Sequence, residues 1–218
     1  MIQKILETFK DLVFPKICFG CKQRGNYLCV NCLEKIPPPR ETKSEVIAAF
    51  DYKNKTVKHL LWQLKYEQRY SIALTLAKAL YDKLLEDITD LKTLSPTRKT
   101  KIIVIPVPMH PDKLRKRGFN QAELIAKELA SLDPASFILK TDVLEKTKDT
   151  ISQMTIKDRS KRLQNVEGSF RLKNGGTIAG RFVLLVDDIT TTGATINECK
   201  DLLITARPIK VVAVSVAH

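Results

Sequence analysis

FVLLVDDITTTGAT, residues 182–195, is the stretch whose reading decides the fold of this chain. Five apolar residues, Phe182 to Val186, run without polar interruption before two carboxylates, Asp187 and Asp188. A continuous apolar run rich in valine and leucine suits a parallel strand buried on both faces. The aspartates then fall at the strand's carboxyl end, where open α/β sheets place their ligands. Thr190, Thr191, Thr192, Gly193, Ala194 and Thr195 follow as the turn into a helix. Free backbone N–H groups, threonine hydroxyls and the positive end of a helix dipole all favour a phosphate there. Gly193, with no Cβ, lets the backbone approach that phosphate closely. Carboxylates for sugar hydroxyls beside a nest for a 5′-phosphate predict a ribose 5-phosphate site. The competing reading, a buried strand ending in two solvated aspartates, leaves the Thr-Thr-Gly-Ala-Thr loop without a purpose.

Upstream, Lys101 to Val107 (KIIVIPV) reads as a second buried strand, and residues 210–216 (KVVAVSV) as a last one. After the first of these comes a loop with three prolines and four clustered basic residues, Lys113, Arg115, Lys116 and Arg117. Arginine forks meet phosphate oxygens better than lysine does. His110, beside two prolines, reads as a positioning or surface residue. A helix begins near Asn120, with Leu124, Ile125 and Leu129 facing inward. Residues 46–50 (VIAAF) suit a strand, and 55–66 and 70–88 suit helices. Their apolar faces carry Leu60, Leu61 and Leu64, then Leu74, Ala77, Leu80 and Leu84. Trp62, Tyr66 and Tyr70 share that spacing and are assigned to the core rather than to a base-stacking surface. Asp90 to Thr100 reads as a loop, and Phe137 to Leu144 as a weaker strand. The polar run from Lys146 to Phe170 fits either a mobile lid or a surface excursion.

Four of the five cysteines stand as Cys18-x2-Cys21-x7-Cys29-x2-Cys32. Two such knuckles can bring four thiolates onto one tetrahedral Zn²⁺, and a site with four protein ligands is closed and structural. Disulfides or an iron–sulfur cluster are the alternatives. Cys199 shares a helix face with Ile196 and Leu203 and reads as a packed thiol. Pro37-Pro38-Pro39 ends the module with a stiff linker, so residues 1–40 and 41–218 form two units.

At 218 residues the chain has room for one α/β domain and a small appendage. Its 44% hydrophobic content comes with no run long enough to span a membrane, which points to a cytoplasmic protein. The N-terminus, MIQKILETFKDLVF, mixes charges into its apolar residues and so lacks the core of a signal peptide. Its spacing suits a short amphipathic helix docked on the rest of the protein rather than on a membrane surface. A net charge of +13 favours anionic partners without choosing among polyphosphate, nucleic acid and acidic lipid.

The 182–195 stretch resembles the phosphoribosyl pyrophosphate (PRPP) signature of the type I phosphoribosyltransferases. That resemblance implies that Asp187 and Asp188 accept the ribose hydroxyls and that Thr190 to Thr195 wrap the 5′-phosphate. It gives the loop holding Lys113, Arg115 and Arg117, after the first sheet strand, to the pyrophosphate. Taken with the cysteine knuckles, LKY at 64–66, IPVPMHP and RGFNQA within 105–122, and the Gln153…Arg162…Asn165 segment, the chain resembles the ComF family of late competence proteins. The fold this implies is an α/β type I phosphoribosyltransferase domain carrying an N-terminal zinc ribbon. The resemblance also implies Mg²⁺ accompanying PRPP, handling of single-stranded DNA during natural transformation, and a DNA-uptake helicase partner. Gln153 and either Arg159 or Arg162 become lid contacts. Lys146 replaces the arginine usual in the family, and Ala217-His218 end the chain where relatives place an arginine.

Phosphoribosyl transfer needs placement of both reactants and stabilisation of the leaving pyrophosphate, not a nucleophile. Some purine-salvage relatives carry a carboxylate base where Thr191 stands, so 6-oxopurine salvage is disfavoured. Three functions fit the sequence: transfer to an unidentified acceptor, a DNA-uptake factor that senses PRPP or a nucleotide, and a zinc-ribbon adaptor with a degenerate domain.

Overall fold

The computed structural model describes residues 15–37, 39, 46–93, 101–149 and 168–218. The expected N-terminal helix, the unit boundary near residue 40, and the segment with Gln153, Arg159, Arg162 and Asn165 lie outside them.

In chain order the elements are α1 (Val30–Leu33), β1 (Val46–Phe50), α2 (Lys55–Tyr66), α3 (Ile72–Thr93), β2 (Ile102–Pro106), α4 (Pro111–Arg117) and α5 (Gln121–Leu132). Then follow β3 (Phe137–Leu139), β4 (Leu144–Lys146), β5 (Phe170–Leu172), a 3-10 turn at Gly175–Ile178, β6 (Phe182–Ile189), α6 (Ala194–Thr205) and β7 (Lys210–Ala217). Among the described residues one sheet runs β1-β7-β6-β2-β3, parallel throughout. This is the phosphoribosyltransferase-type α/β architecture that the sequence predicts. Helices cover the sheet because each parallel connection must cross back over one face.

The apolar runs of β2 and β6 lie in the middle of the sheet for a physical reason. Alternate residues point to opposite faces. Ile102, Val104, Phe182, Leu184 and Val186 join Leu60, Leu76, Leu80, Ile125 and Leu129 in one core. Ile103, Ile105, Val183 and Leu185 join Ile196, Cys199 and Leu203 in the other. A central strand needs both sets apolar, which gives an uninterrupted run instead of alternation. Each fully buried leucine or isoleucine contributes about 1.5–3 kcal/mol. Cys199 is fully buried, as expected for a packed thiol.

Several expectations require correction. Trp62, Tyr66 and Tyr70 are 45%, 57% and 47% exposed, so they are not core residues. The buried face of α2 is Val57, Leu60, Leu61 and Leu64, and the aromatic rings stand on a second face. Leu74 is likewise exposed, and Ala73 and Leu76 take the inward positions. Helix α3 runs on to Thr93, past the predicted loop start at Asp90. The basic segment expected as loop contains a seven-residue helix, α4. Pro111 sits in its first turn, where proline's missing N–H costs nothing. His110 caps it, with Nδ1 accepting from the Asp112 amide at 3.3 Å. The region 137–144 splits between β3, at the edge of the main sheet, and β4, which pairs antiparallel with β5.

The cysteine module packs onto the same apolar core as α2 and α3. Tyr27 and Leu28 are buried in it, and Phe19, Leu33 and Ile36 lie against it.

Candidate functional site

Strands β2 and β6 are neighbours, with Pro106 opposite Val186, and the Val107 amide donates to the Val186 carbonyl at 2.8 Å. The chain segments leaving both strands therefore emerge side by side at one end of the sheet. Strand β2 is second in chain order, because Val46–Phe50 joins the sheet at its far edge.

Asp187 and Asp188 end β6. Asp187 Oδ1 accepts the Asp188 amide, and Asp188 Oδ1 accepts the Ile189 amide, each at 2.8 Å. Burial pushes the Asp187 carboxyl well above its ordinary value, and the neighbouring Asp188 charge raises it further. Lys146 acts in the opposite sense on Asp187. Its own ammonium is disfavoured by burial and by Lys113, and its Nζ lies 5.0 Å from the Phe170 ring centroid. In the sequence Lys146 stands out only as a departure from a family pattern, because no local spacing links β4 to the end of β6.

Beyond Asp188, the Thr190 amide is tied to the Ala217 carbonyl at 2.9 Å. The Thr190 hydroxyl oxygen is buried and has no hydrogen-bond partner among the described residues. Gly193 precedes α6 with φ +78°, and a Cβ there would meet Asn197 only at ordinary contact distance. Glycine is thus favoured by backbone conformation rather than by crowding. Thr190, Thr191, Gly193, Ala194 and Thr195 line one small hollow with Asp187, while Thr192 Oγ1 accepts the Ala194 amide at 3.4 Å. A loop with an unpartnered buried hydroxyl, followed by the first amides of a helix, offers donors to an anion.

The basic segment is organised by α4 and its exit. Gly118 takes φ +84° as the helix's C-cap, and the Asn120 side chain caps α5 while donating to the Val107 carbonyl at 2.9 Å. Lys113 pairs with Asp149 at 3.0 Å, and this holds the Asp149 carboxyl below its usual range. Arg117 donates to Gln121 Oε1 at 2.9 Å, and the buried Gln121 Nε2 has no partner among the described residues. Arg115 is exposed and paired with Asp112. Of the three predicted pyrophosphate cations, Lys113 and Arg117 are the less exposed, and Arg115 already has an anion one turn away.

Cys18, Cys21, Cys29 and Cys32 bring their sulfurs within 4.8 Å of one another. Cys29 Sγ lies 3.6 Å from Cys18 Sγ and 3.5 Å from Cys21 Sγ. Four thiolates around one Zn²⁺ at about 2.3 Å stand about 3.8 Å apart, so the arrangement fits a single tetrahedral metal. Burial opposes charge on Cys18, but amides of Cys29, Cys21 and Gly20 outweigh it and bring that thiol to about 6. Burial and the neighbouring sulfurs push Cys32 up to about 12. A cation would be needed to hold all four as thiolates. A Cβ on Gly20 would meet Cys32 Sγ at 2.6 Å, so only glycine permits this closure.

Residues 114–218 match the phosphoribosyl transferase domain family. The chain is similar to DNA utilization protein YhgH of Escherichia coli O157:H7, at 30% identity over 176 residues, covering 81% of this chain and 71% of that protein. It is 30% identical over 197 residues to competence protein F of Haemophilus influenzae, covering 87% and 79%. Competence protein ComFC of Streptococcus pneumoniae is 42% identical over 99 residues, covering 45% and 40%.

Proposed function

The chain belongs to the ComF family of competence proteins with a phosphoribosyltransferase domain, and from that premise we propose that its pocket binds PRPP. The observation that carries this reading is the shared sheet end. There the paired carboxylates of β6, a loop with an unpartnered buried hydroxyl and the basic α4 segment stand together.

In this reading Asp187 and Asp188 accept the ribose 2′- and 3′-hydroxyls. The Thr190 hydroxyl, and the amides and hydroxyls from Thr191 to Thr195, hold the 5′-phosphate, with Gly193 setting the turn. Lys113 and Arg117 meet the pyrophosphate once Asp149 and Gln121 release them, and Arg115 follows if it leaves Asp112. Gln153 with Arg159 or Arg162 supplies the lid contact. Mg²⁺, if bound with the pyrophosphate, would supply positive charge that offsets the charge on the leaving group, beside Lys113 and Arg117. Zn²⁺ on the four cysteines is structural and keeps the N-terminal module folded.

Catalysis needs no nucleophile from the protein. The chain's residues fix the ribose and neutralise the departing pyrophosphate, and the acceptor supplies the electron pair. Thr191 offers no base, so the acceptor must arrive already nucleophilic or be deprotonated by another group. The names of the relatives and the charge of +13 support a setting in DNA handling, and we assign it to single strands in the cytoplasm.

Calorimetry with PRPP and Mg²⁺ on the intact protein tests the pocket. Micromolar binding, lost in both Asp187→Ala and Asp188→Ala, is expected. Unchanged binding in either variant would falsify the assignment of the ribose site. Pyrophosphate release across nucleobases, amines and phenols then identifies an acceptor.

A further inference from the structure

Helix α2 presents a row of rings that its core face does not use. His59, Trp62 and Tyr66 recur at helical spacing on one side, and all three are exposed. The Phe19 ring of the cysteine module meets His59 edge-on at 4.4 Å. His59 and Trp62 lie nearly parallel, 12° apart with centroids at 6.4 Å, and Trp62 stands 5.7 Å from Tyr66. A cavity of about 530 Å³ opens along this row and reaches Tyr52 and Ile189.

Exposed aromatic rings in a row leave apolar faces in water, which a folded surface ordinarily avoids. Cations border them. Lys58 Nζ sits 5.3 Å from the Tyr52 ring centroid and Lys65 Nζ 5.4 Å from that of Tyr66, with Lys55 on the same rim. Rings that accept flat partners, edged by charges that accept phosphates, form the combination that holds unpaired nucleic acid without reading its sequence. One free base would cover one ring. A row running from His59 through Trp62 to Tyr66 suits successive bases.

We propose that the cleft along His59, Trp62 and Tyr66 stacks the bases of a single-stranded nucleic acid, with Lys55, Lys58 and Lys65 on its phosphates. The proposal rests on the reading that this chain handles single strands, and it gives that reading a location. The cleft also adjoins the ribose site. Ile189, which lines it, follows Asp188 directly. Burial and then the Asp188 charge hold the Tyr52 phenol above its ordinary value, which places that ring within the carboxylate's field. A strand seated here runs past the mouth of the ribose-phosphate pocket.

Trp62 is the sole tryptophan of the chain, so its fluorescence reports on the cleft alone. The test titrates the full chain with a 12-mer of thymidylate, a 12-mer of abasic sites with the same phosphates, and free thymidine monophosphate. Tryptophan emission and the anisotropy of end-labelled strands are both read, at fixed salt. The expected result is strong quenching by the thymidylate 12-mer, with about tenfold or weaker binding of the abasic strand. Tyr66→Ala, exposed and outside the core, is expected to weaken the thymidylate strand by about fivefold or more while thermal unfolding stays unchanged. Equal binding of both strands, with emission unaltered and Tyr66→Ala without effect, overturns the cleft yet leaves strand binding elsewhere on the surface. No anisotropy change with either strand overturns strand handling and the cleft together. Monophosphate that binds as tightly as the 12-mer makes the cleft a free-nucleotide site and overturns the proposal. PRPP calorimetry decides the ribose pocket independently of these outcomes.

Discussion

Asn120 Nδ2 donates to the Val107 carbonyl at 2.9 Å while its Oδ1 accepts the Ala122 amide at 3.1 Å. One side chain thus starts α5 and closes the entire α4 segment back onto the end of β2. The clamp fixes where Lys113 and Arg117 stand relative to Asp187. Asn120→Ala removes a cap and a buried hydrogen bond together, an expected loss of about 1–3 kcal/mol. Melting should fall by several degrees, and PRPP affinity by tenfold or more, because the cations lose their anchor. Scanning calorimetry and ligand titration of the variant check both; a variant with wild-type melting and binding contradicts the clamp.

The raised Asp187 carboxyl carries a definite sign. A native group that holds its proton more tightly than the unfolded chain makes stability fall as pH rises from the ordinary carboxylate range toward the native value. Asp187→Asn removes that cost. The variant should melt higher than wild type at pH 7 to 8, and the advantage should vanish near about pH 4, where the unfolded carboxylate also gains its proton. The same variant should lose PRPP binding by at least tenfold, since the amide replaces one acceptor oxygen by an NH₂ donor and removes the charge. Melting curves across pH beside calorimetry separate the two effects. A variant less stable than wild type at neutral pH refutes the burial argument.

How much of this was legible in the chain follows from what sets each feature. Burial on both faces writes β2 and β6 into the sequence as unbroken apolar runs, and helical spacing writes α2 and α5. The carboxylate pair and threonine loop were readable because chemistry and chain order coincide there. Trp62 and Tyr66 were misassigned because spacing reports that residues share a face, not which face the tertiary structure covers. Lys146 acts electrostatically on Asp187 from the β4–β5 pair, which lies far from β6 in sequence, so no local pattern encodes it. Helix α4 was hidden by its prolines, which read as loop until His110 is seen to cap it.

The four sulfurs lie within 4.8 Å of one another, and the module they close packs Tyr27 and Leu28 into the main core. Metal removal should therefore destabilise more than the module itself. One Zn²⁺ per chain is expected by elemental analysis. A strong chelator, or Cys32→Ser, should cost about 4 kcal/mol or more. The loss should be visible as a lowered melting temperature of the whole protein rather than as a separate minor transition. Intact melting after complete metal removal refutes a structural role.

Thr190 separates stability from binding most cleanly. Its hydroxyl is buried and unpartnered, so in the ligand-free protein it contributes nothing that offsets its desolvation. Thr190→Val keeps the shape and removes the polar atom. Stability is expected to hold or to rise by up to about 1 kcal/mol. If the hydroxyl serves the 5′-phosphate, affinity for PRPP and for ribose 5-phosphate should both drop by about tenfold, while inorganic pyrophosphate, held by the α4 segment, binds unchanged. The comparison across the three ligands is decisive. A uniform loss across all of them, or none, means that this threonine does not hold the 5′-phosphate and that the loop binds through its amides alone.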